Sequence, residues 1–251
     1  MYLKDKVAIV TGGAMGIGRA MAEGLASEGA SLVIADVAEA DAAAKEMNQK
    51  GFNAIGVKVD VSSEEDTEKM VDETIKAFRR IDILVNNAGI YTSLIPGPFE
   101  EITVDQWRRV MDVNVMGMFL CCRAVVGEMR KNKEGRIINL ASGTPFKGIP
   151  FLLHYTTSKG AVVALTRALA KEVGADDILV NAIAPGFTMS DGVLANEVQL
   201  KRFREIVAKA RTLARDQNPE DVVGAAKFFS GPDSDFITGQ TLVVDGGIHF
   251  L

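Results

Sequence analysis

The chain has 251 residues, 47% of them apolar and 24% charged, with a formal net charge of -5. That length and composition suit one soluble globular domain with a sizeable core. The mild acidity and the lack of a basic tail argue against nucleic acid as a partner, and no apolar run reaches the length of a membrane span. Lys4, Asp5 and Lys6 stand where a secretory signal would need an apolar segment, so a cytoplasmic location is expected. Cys121 and Cys122 are adjacent in a helical pattern and fit neither a metal site nor a redox pair, so they read as buried reduced thiols. His154 and His249 lie far apart and suggest no metal site.

Seven short apolar runs recur along the chain, separated mostly by helical patterns: Val7–Val10, Leu32–Ala35, Ala54–Val59, Ile81–Val85, Arg136–Leu140, Ile178–Ile183 and Thr241–Val244. The first is β-branched and too short for a helix, which suits a strand buried on both faces of a parallel sheet. It runs into Thr11-Gly12 and Gly16-Ile17-Gly18, where an amphipathic helix begins. A strand-to-helix turn needs small residues, and the free N–H groups of a helix start attract phosphate. Gly12 is expected to turn the chain, Gly16 to admit a pyrophosphate and Gly18 to pack the helix on the strand, with Met15 and Ile17 beside the bound nucleotide.

The second strand ends at Asp36, eighteen residues after Gly18. A carboxylate there accepts hydrogen bonds from both adenosine ribose hydroxyls and repels a 2′-phosphate. No Arg or Lys follows directly, so the cofactor expected is NAD; the alternative is that Asp36 caps the next helix. Alternating strands and helices imply an α/β fold, a parallel sheet covered on both faces. Ser62 with Glu65 and Thr103 with Gln106 are capping-box patterns, and Asn218-Pro219 reads as a cap followed by a first-turn proline. The whole chain, 1–251, reads as one domain. An irregular stretch from Pro185 to about Arg215 interrupts the alternation, and residues 187–215 are expected to form a substrate lid.

The chemistry is carried by Asn86-Asn-Ala-Gly89 after the fourth strand, by Asn114 in a helix beginning near Asp105, by Ser142 after the fifth strand, and by Tyr155 and Lys159. The last two are four apart and share a helix face. Hydride transfer at a carbon–oxygen centre needs a group that moves the hydroxyl proton. A free tyrosine titrates near pH 10, and an ammonium one turn away favours its phenolate. Ser142 can donate to the substrate oxygen.

These motifs together resemble the short-chain dehydrogenase/reductase family, in the branch with chains of about this length. The resemblance covers essentially the whole chain and rests on the glycine turn, Asp60-Val61, Asn86-Asn-Ala-Gly89, Asn114, Ser142, Tyr155-Thr-Thr-Ser-Lys159 and Pro185-Gly186. It implies a Rossmann fold with a seven-stranded parallel sheet in the order 3-2-1-4-5-6-7. It implies that Tyr155 is the acid/base, that Ser142 orients the substrate oxygen, and that Lys159 lowers the tyrosine pKa and binds the nicotinamide ribose. Asn114 would hold a water linking Lys159 to solvent. Asp60 and Val61 would border the adenine, and Asn87, Ala88 and Gly89 would pack along the adenosine ribose. Beyond Pro185-Gly186 the family usually has a threonine on the nicotinamide amide; here either Thr188 or Ser190 could fill that place.

The segments expected to line the substrate pocket are mostly apolar: Tyr91 and Leu94, then Thr144 and Phe146, then Leu152 and Leu153, and in the lid Phe187, Met189 and Leu194. Such a lining prefers a hydrophobic or aromatic secondary alcohol or ketone to a sugar, and these stretches resemble those of family members that oxidise aryl or alicyclic secondary alcohols. Lys201, Arg202, Arg204, Lys209, Arg211 and Arg215 make the lid basic, which reads as a solvated face or as an attraction for an acidic carrier. The alternatives are thus an NADPH-dependent reductase resembling the family's 3-oxoacyl-[acyl-carrier-protein] reductases, and a catalytically silent dinucleotide-binding module. Gly160, Ala164 and Ala168 stand at four-residue spacing on the Tyr155 helix, where another helix could approach closely. The resemblance implies a homotetramer formed through that helix and the one containing Asn114.

Overall fold

Strands form where the chain is apolar on both sides. In the computed structural model, which describes residues 1–250, these are β1 (Val7–Thr11), β2 (Ser31–Asp36), β3 (Ala54–Lys58), β4 (Ile83–Asn86), β5 (Gly135–Leu140), β6 (Ile178–Pro185) and β7 (Thr241–Val244). They pair in the order 3-2-1-4-5-6-7, every pair parallel. Successive strand residues point to opposite faces. Ile9, Val33, Leu84 and Val180 therefore enter one core, with α3 (Glu64–Phe78), α5 (Gly117–Asn132) and α7 (Leu153–Val173). Val10, Ile34, Val85 and Ile183 enter the other, with α1 (Gly16–Ser27), α2 (Ala40–Gln49) and α10 (Glu220–Ser230). The expected strands are all present, with ends shifted by one or two residues. The fourth starts at Ile83 because Asp82 is engaged elsewhere: it accepts the Val7 N–H at 2.8 Å and the Arg80 guanidinium at 2.7 and 2.5 Å.

β1 lies between β2 and β4, so the strand order reverses there and opens a crevice at the carboxyl ends of the strands. Helix starts are partly legible in the sequence. Thr103 and Gln106 make the expected reciprocal capping box at the head of α4 (Val104–Met111). The Ser62–Glu65 pattern is displaced by one residue: Ser63 accepts the Asp66 N–H, and the Ser62 hydroxyl instead bonds Asp60 at 2.6 Å. Pro219 occupies the cap of α10 rather than its first turn, and the Asp221 carboxylate accepts the Asn218 N–H.

α4, a π turn at Asp112–Met116 and α5 form one 29-residue helical run, long and apolar enough by composition to cross a membrane, which corrects the expectation that no stretch reaches that length. Its apolar side is spent on the sheet: Cys121, Val125 and Met129 are fully buried in the first core. Both cysteines are free and buried, as expected. The interruption after β6 contains α8 (Asp191–Leu194) and α9 (Glu197–Ala210). Asn196 and Gln199 at the head of α9 donate to the Thr92, Tyr91 and Leu94 carbonyls, tying this insertion to the loop after β4.

Gly18 shows how closely β1 and α1 are joined. A Cβ there would stand 2.1 Å from the Gly12 carbonyl oxygen and 2.4 Å from the Asn87 amide nitrogen. Gly18→Ala is expected to cost about 1–3 kcal/mol through overpacking, read as a lower urea midpoint at unchanged slope. A variant as stable as the parent would contradict this packing.

Candidate active site

The carboxyl ends of six strands converge on one cavity of about 420 Å³. Its first wall is the glycine turn. Gly12 and Gly16 have φ of +61° and +58°, a region costly for other residues. A Cβ on Gly12 would meet Ala88 at 2.9 Å, and one on Gly16 would meet Ser190 at 3.4 Å. So Gly12 lets the β4 loop approach, and Gly16 lies against the insertion after β6, whose Asp191 carboxylate accepts its N–H at 3.2 Å. No side chain caps α1. Thr11, whose part no local sequence signal announces, organises the junction: its hydroxyl accepts the N–H groups of Asn87 and Ala88, each at 3.1 Å. The Asn87 amide donates to the Thr11 and Gly12 carbonyls.

Asp36 lines the same wall, its oxygens accepting the Ala14 and Ala38 N–H groups at 3.1 and 3.2 Å. It does not cap α2, whose cap is Glu39 in the left-handed region with no side-chain bond. Asp60 and Val61 follow β3 and line the cavity. The Ser62 hydroxyl and N–H hold the Asp60 carboxyl below its ordinary pKa, against a smaller opposing effect of burial. Met15, Ile17, Ala88, Gly89, Pro185, Gly186, Thr188 and Ser190 also line it. The Thr188 hydroxyl is spent on the Gly186 carbonyl at 3.1 Å.

Ser142, Tyr155 and Lys159 are brought together from the end of β5 and one face of α7, all buried and all lining the cavity. The Lys159 ammonium donates to the Leu140 carbonyl at 2.6 Å and sits 6.0 Å from the centre of the Tyr155 ring. Tyr91 packs against that ring at 4.7 Å. Burial pushes the Tyr155 phenol up to about 12, with the neighbouring Ser142 hydroxyl opposing, and pushes Lys159 down to about 8. The expected lowering of the tyrosine by its cationic neighbour is not seen: desolvation disfavours both charged forms, and the Ser142 hydroxyl alone opposes it at the phenol.

Asn114 is fully buried in the π turn. Its Oδ1 accepts the Ile90 N–H at 2.7 Å, and its Nδ2 donates to the Ile90 carbonyl and the Ser158 hydroxyl. The amide is thus committed to anchoring the β4 loop. A Cβ on Gly89 would lie 3.2 Å from Asn114 Oδ1, a tight approach, and 3.6 Å from Lys159 Nζ, an ordinary contact.

Of the residues expected at the substrate end, Tyr91, Thr144, Leu152 and Phe187 line the cavity. Five do not. Phe146 packs into the main core, because helical rotation separates it from its neighbours Thr144 and Lys147 on α6 (Thr144–Lys147). Leu153 is exposed, since the same rotation turns it away from Leu152, and Leu194 at the end of α8 also faces out. Met189 is buried without reaching the cavity, and Leu94 backs the lining. Val193, within the stretch Phe187–Leu194 expected to line the pocket, does so, and the lining that sequence reasoning misses comes from Ile149, Phe203, Val207, Ile248 and His249. Phe203 and Val207 are four apart on α9, a spacing visible in the sequence; the two C-terminal residues reach the site only through tertiary packing.

Comparisons with known proteins bear on the fold and the family. The family model described as Enoyl-(Acyl carrier protein) reductase matches residues 12–249. The chain is 36% identical over 250 residues to the 3-oxoacyl-[acyl-carrier-protein] reductase of Synechocystis sp., covering 98% of each. The crystal structure of levodione reductase superposes with a TM-score of 0.91 at 31% identity, covering 97% of each chain. That of the 3-ketoacyl-(acyl-carrier-protein) reductase from Brucella melitensis, complexed with NADH, does so with a TM-score of 0.89 at 34% identity, covering 99% of this chain and 100% of that one. The chain belongs to the short-chain dehydrogenase/reductase family.

Proposed function

We propose that the protein is an NAD-dependent oxidoreductase that interconverts a hydrophobic secondary alcohol, aryl or alicyclic, and its ketone. The observation that carries the reading is the buried Ser142–Tyr155–Lys159 group, which opens onto one cavity shared by the glycine turn and an apolar end. The residues present fit a dinucleotide. The turn itself is built of small residues, the N-cap residue of α1, Met15, makes no side-chain bond to the helix, and Asp36 stands at the end of β2; of the first-turn N–H groups, that of Gly16 is held by the Asp191 carboxylate of the insertion, which a bound phosphate would displace. The Ser190 hydroxyl is the better placed donor beside Gly16, because that of Thr188 is already used.

A nicotinamide dinucleotide held here by the glycine turn and Asp36 would supply the hydride for the carbonyl carbon in reduction, or accept it from the alcohol in oxidation. Tyr155 holds the proton that the carbonyl oxygen needs, and its raised pKa keeps it protonated at neutral pH, the state required for ketone reduction. Ser142 orients that oxygen. Lys159 contributes positive charge behind the tyrosine and a donor for the nicotinamide ribose. Asn114 positions the loop that borders the cofactor, by way of Ile90. The apolar end, with Leu152, Phe203 and Val207 backed by Ile149 and Ile248, selects a hydrophobic body. The insertion carrying α8 and α9 acts as the lid.

An acyl-carrier substrate is less well supported. Four of the lid's cations are paired locally, Lys201 with Glu197, Arg204 with Asp216, Lys209 with Glu205 and Arg215 with Asp221, while Arg202 has no carboxylate partner and stacks on the Phe151 ring. Arg211 is buried and bonds backbone carbonyls. Of the six lid cations, Arg202 alone is available to an acidic carrier, half-buried and without a carboxylate partner. The silent-module alternative leaves the assembled Ser142, Tyr155 and Lys159 without a use.

A panel of neutral aryl and alicyclic ketones, followed by NADH and NADPH absorbance, tests the reading; turnover of none with either cofactor contradicts it. Asp36→Ala is expected to narrow the NAD/NADP preference in kcat/KM by tenfold, about 1.4 kcal/mol, and an unchanged ratio removes Asp36 from this role. Because burial lowers Lys159 to about 8, its ammonium is lost above that pH. The kcat/KM for reduction should fall as pH rises through 8, and Lys159→Met should remove that limb along with most of the rate. Ala164 and Ala168 on α7 are exposed rather than packed on the sheet, and Met116 and Phe119 are exposed on the helical run that carries Asn114, in keeping with a homotetramer. Light scattering should give four times the 26.9 kDa chain mass at micromolar concentration, and a monomer mass would contradict the assembly.

A further inference from the structure

We propose that the substrate carries a carboxylate in addition to its reacting carbonyl, and that Thr144 and Lys147 on α6 are the residues that recognise it. The inference rests on the reading of Ser142 and Tyr155 as the reducing end, and it adds a second polar anchor to an apolar cavity. Thr144 and Lys147 are three apart on one helical turn, so they share a face, and both line the cavity. The Thr144 hydroxyl is buried and has no hydrogen-bond partner, although its own N–H donates to Ser142 Oγ at 3.2 Å. Buried hydroxyls in folded proteins are normally bonded, so one left open beside the reacting group marks a place for a ligand oxygen. Lys147 is exposed at the rim and makes no ion pair or side-chain hydrogen bond among the described residues; on and after the lid helix Lys201, Arg204, Lys209 and Arg215 are paired, and Arg202, which has no carboxylate partner, stacks on Phe151 and does not line the cavity.

The distribution of carboxylates points the same way. The acidic residues that line the cavity are Asp36 and Asp60, both at the nucleotide end. Near the substrate end, Asp245 is buried and does not line the cavity. It is saturated by the N–H groups of Gly247, Ile248 and His249 and by the His249 ring at 2.5 Å. Lys147 and Lys159 therefore face that end with no lining carboxylate against them. A substrate carboxylate would accept the Thr144 hydroxyl and the Lys147 ammonium, charge-assisted bonds that also fix which way round the ketone lies. A neutral ketone would leave Lys147 in water and the Thr144 hydroxyl open.

The test compares phenyl-bearing 2-, 3- and 4-oxo carboxylates with their primary amides, using the full-length protein and NADH. The parent should prefer the best carboxylate over its amide by at least tenfold in kcat/KM, mainly through KM. Lys147→Met should reduce that ratio at least tenfold, Thr144→Val should reduce it severalfold, and Lys147→Arg should restore most of it. NADH fluorescence titration reports that each variant is folded. A parent that reduces neutral ketones but favours carboxylates less than twofold, or a Lys147→Met variant with the parental ratio, overturns the anion site and leaves the ketone reading standing. A parent that turns over no ketone, yet whose NADH complex binds the carboxylates at least tenfold more tightly than the amides, supports the site and overturns the ketone reading. Equal binding in that case overturns both.

Discussion

Two groups that favour water, the Tyr155 phenol and the Lys159 ammonium, are held out of it on one face of α7. Desolvation pushes both toward their neutral forms, the phenol up and the ammonium down. The rest of the site can be understood as the means of keeping them there. The Leu140 carbonyl takes the lysine at 2.6 Å, Ser142 meets the phenol, and Tyr91 covers the ring. A protonated tyrosine facing a largely apolar cavity is in the state that the proposed ketone reduction requires. Oxidation starts from the phenolate, and each pH unit below the phenol's pKa makes that form about 1.4 kcal/mol less available.

The second constraint is the contact between the two halves of the sheet at β1 and β4. Thr11, Gly12 and Gly18 meet Asn87 and Ala88 so closely that no added methyl group is tolerated at Gly12 or Gly18. From there the β4 loop is carried by Asn114 to Ser158 and so to α7. The nucleotide end and the proton-transfer end are thus joined through a short chain of hydrogen bonds rather than through the sheet alone. Asn86, Asn139 and Thr166 form a parallel buried chain beneath them, at 2.9 and 3.0 Å.

Much of this arrangement is legible in local sequence signals. The strands read as apolar runs because a parallel sheet buries both faces, and the glycine turn and the Tyr155–Lys159 spacing follow from backbone geometry. What escapes sequence reasoning depends on distant parts of the chain. The four-residue spacing of Tyr155 and Lys159 displays their shared helix face but not the burial of both, and burial sets the direction of both shifts. Phe146, Leu153 and Leu194 are close in sequence to the site, yet a helical rotation or an exposed helix end turns each away. Thr11, Ile248 and His249 gain their places only when separate strands and the C-terminal segment meet.

The most direct test of the account is a single turnover by Tyr155→Phe with NADH prebound and the best ketone added. The account predicts NADH affinity within a few-fold of the parent and a hydride-transfer rate lower by roughly 10² to 10⁴, the usual contribution of a positioned proton donor. A variant that binds NADH and reduces the ketone at the parental rate would contradict it.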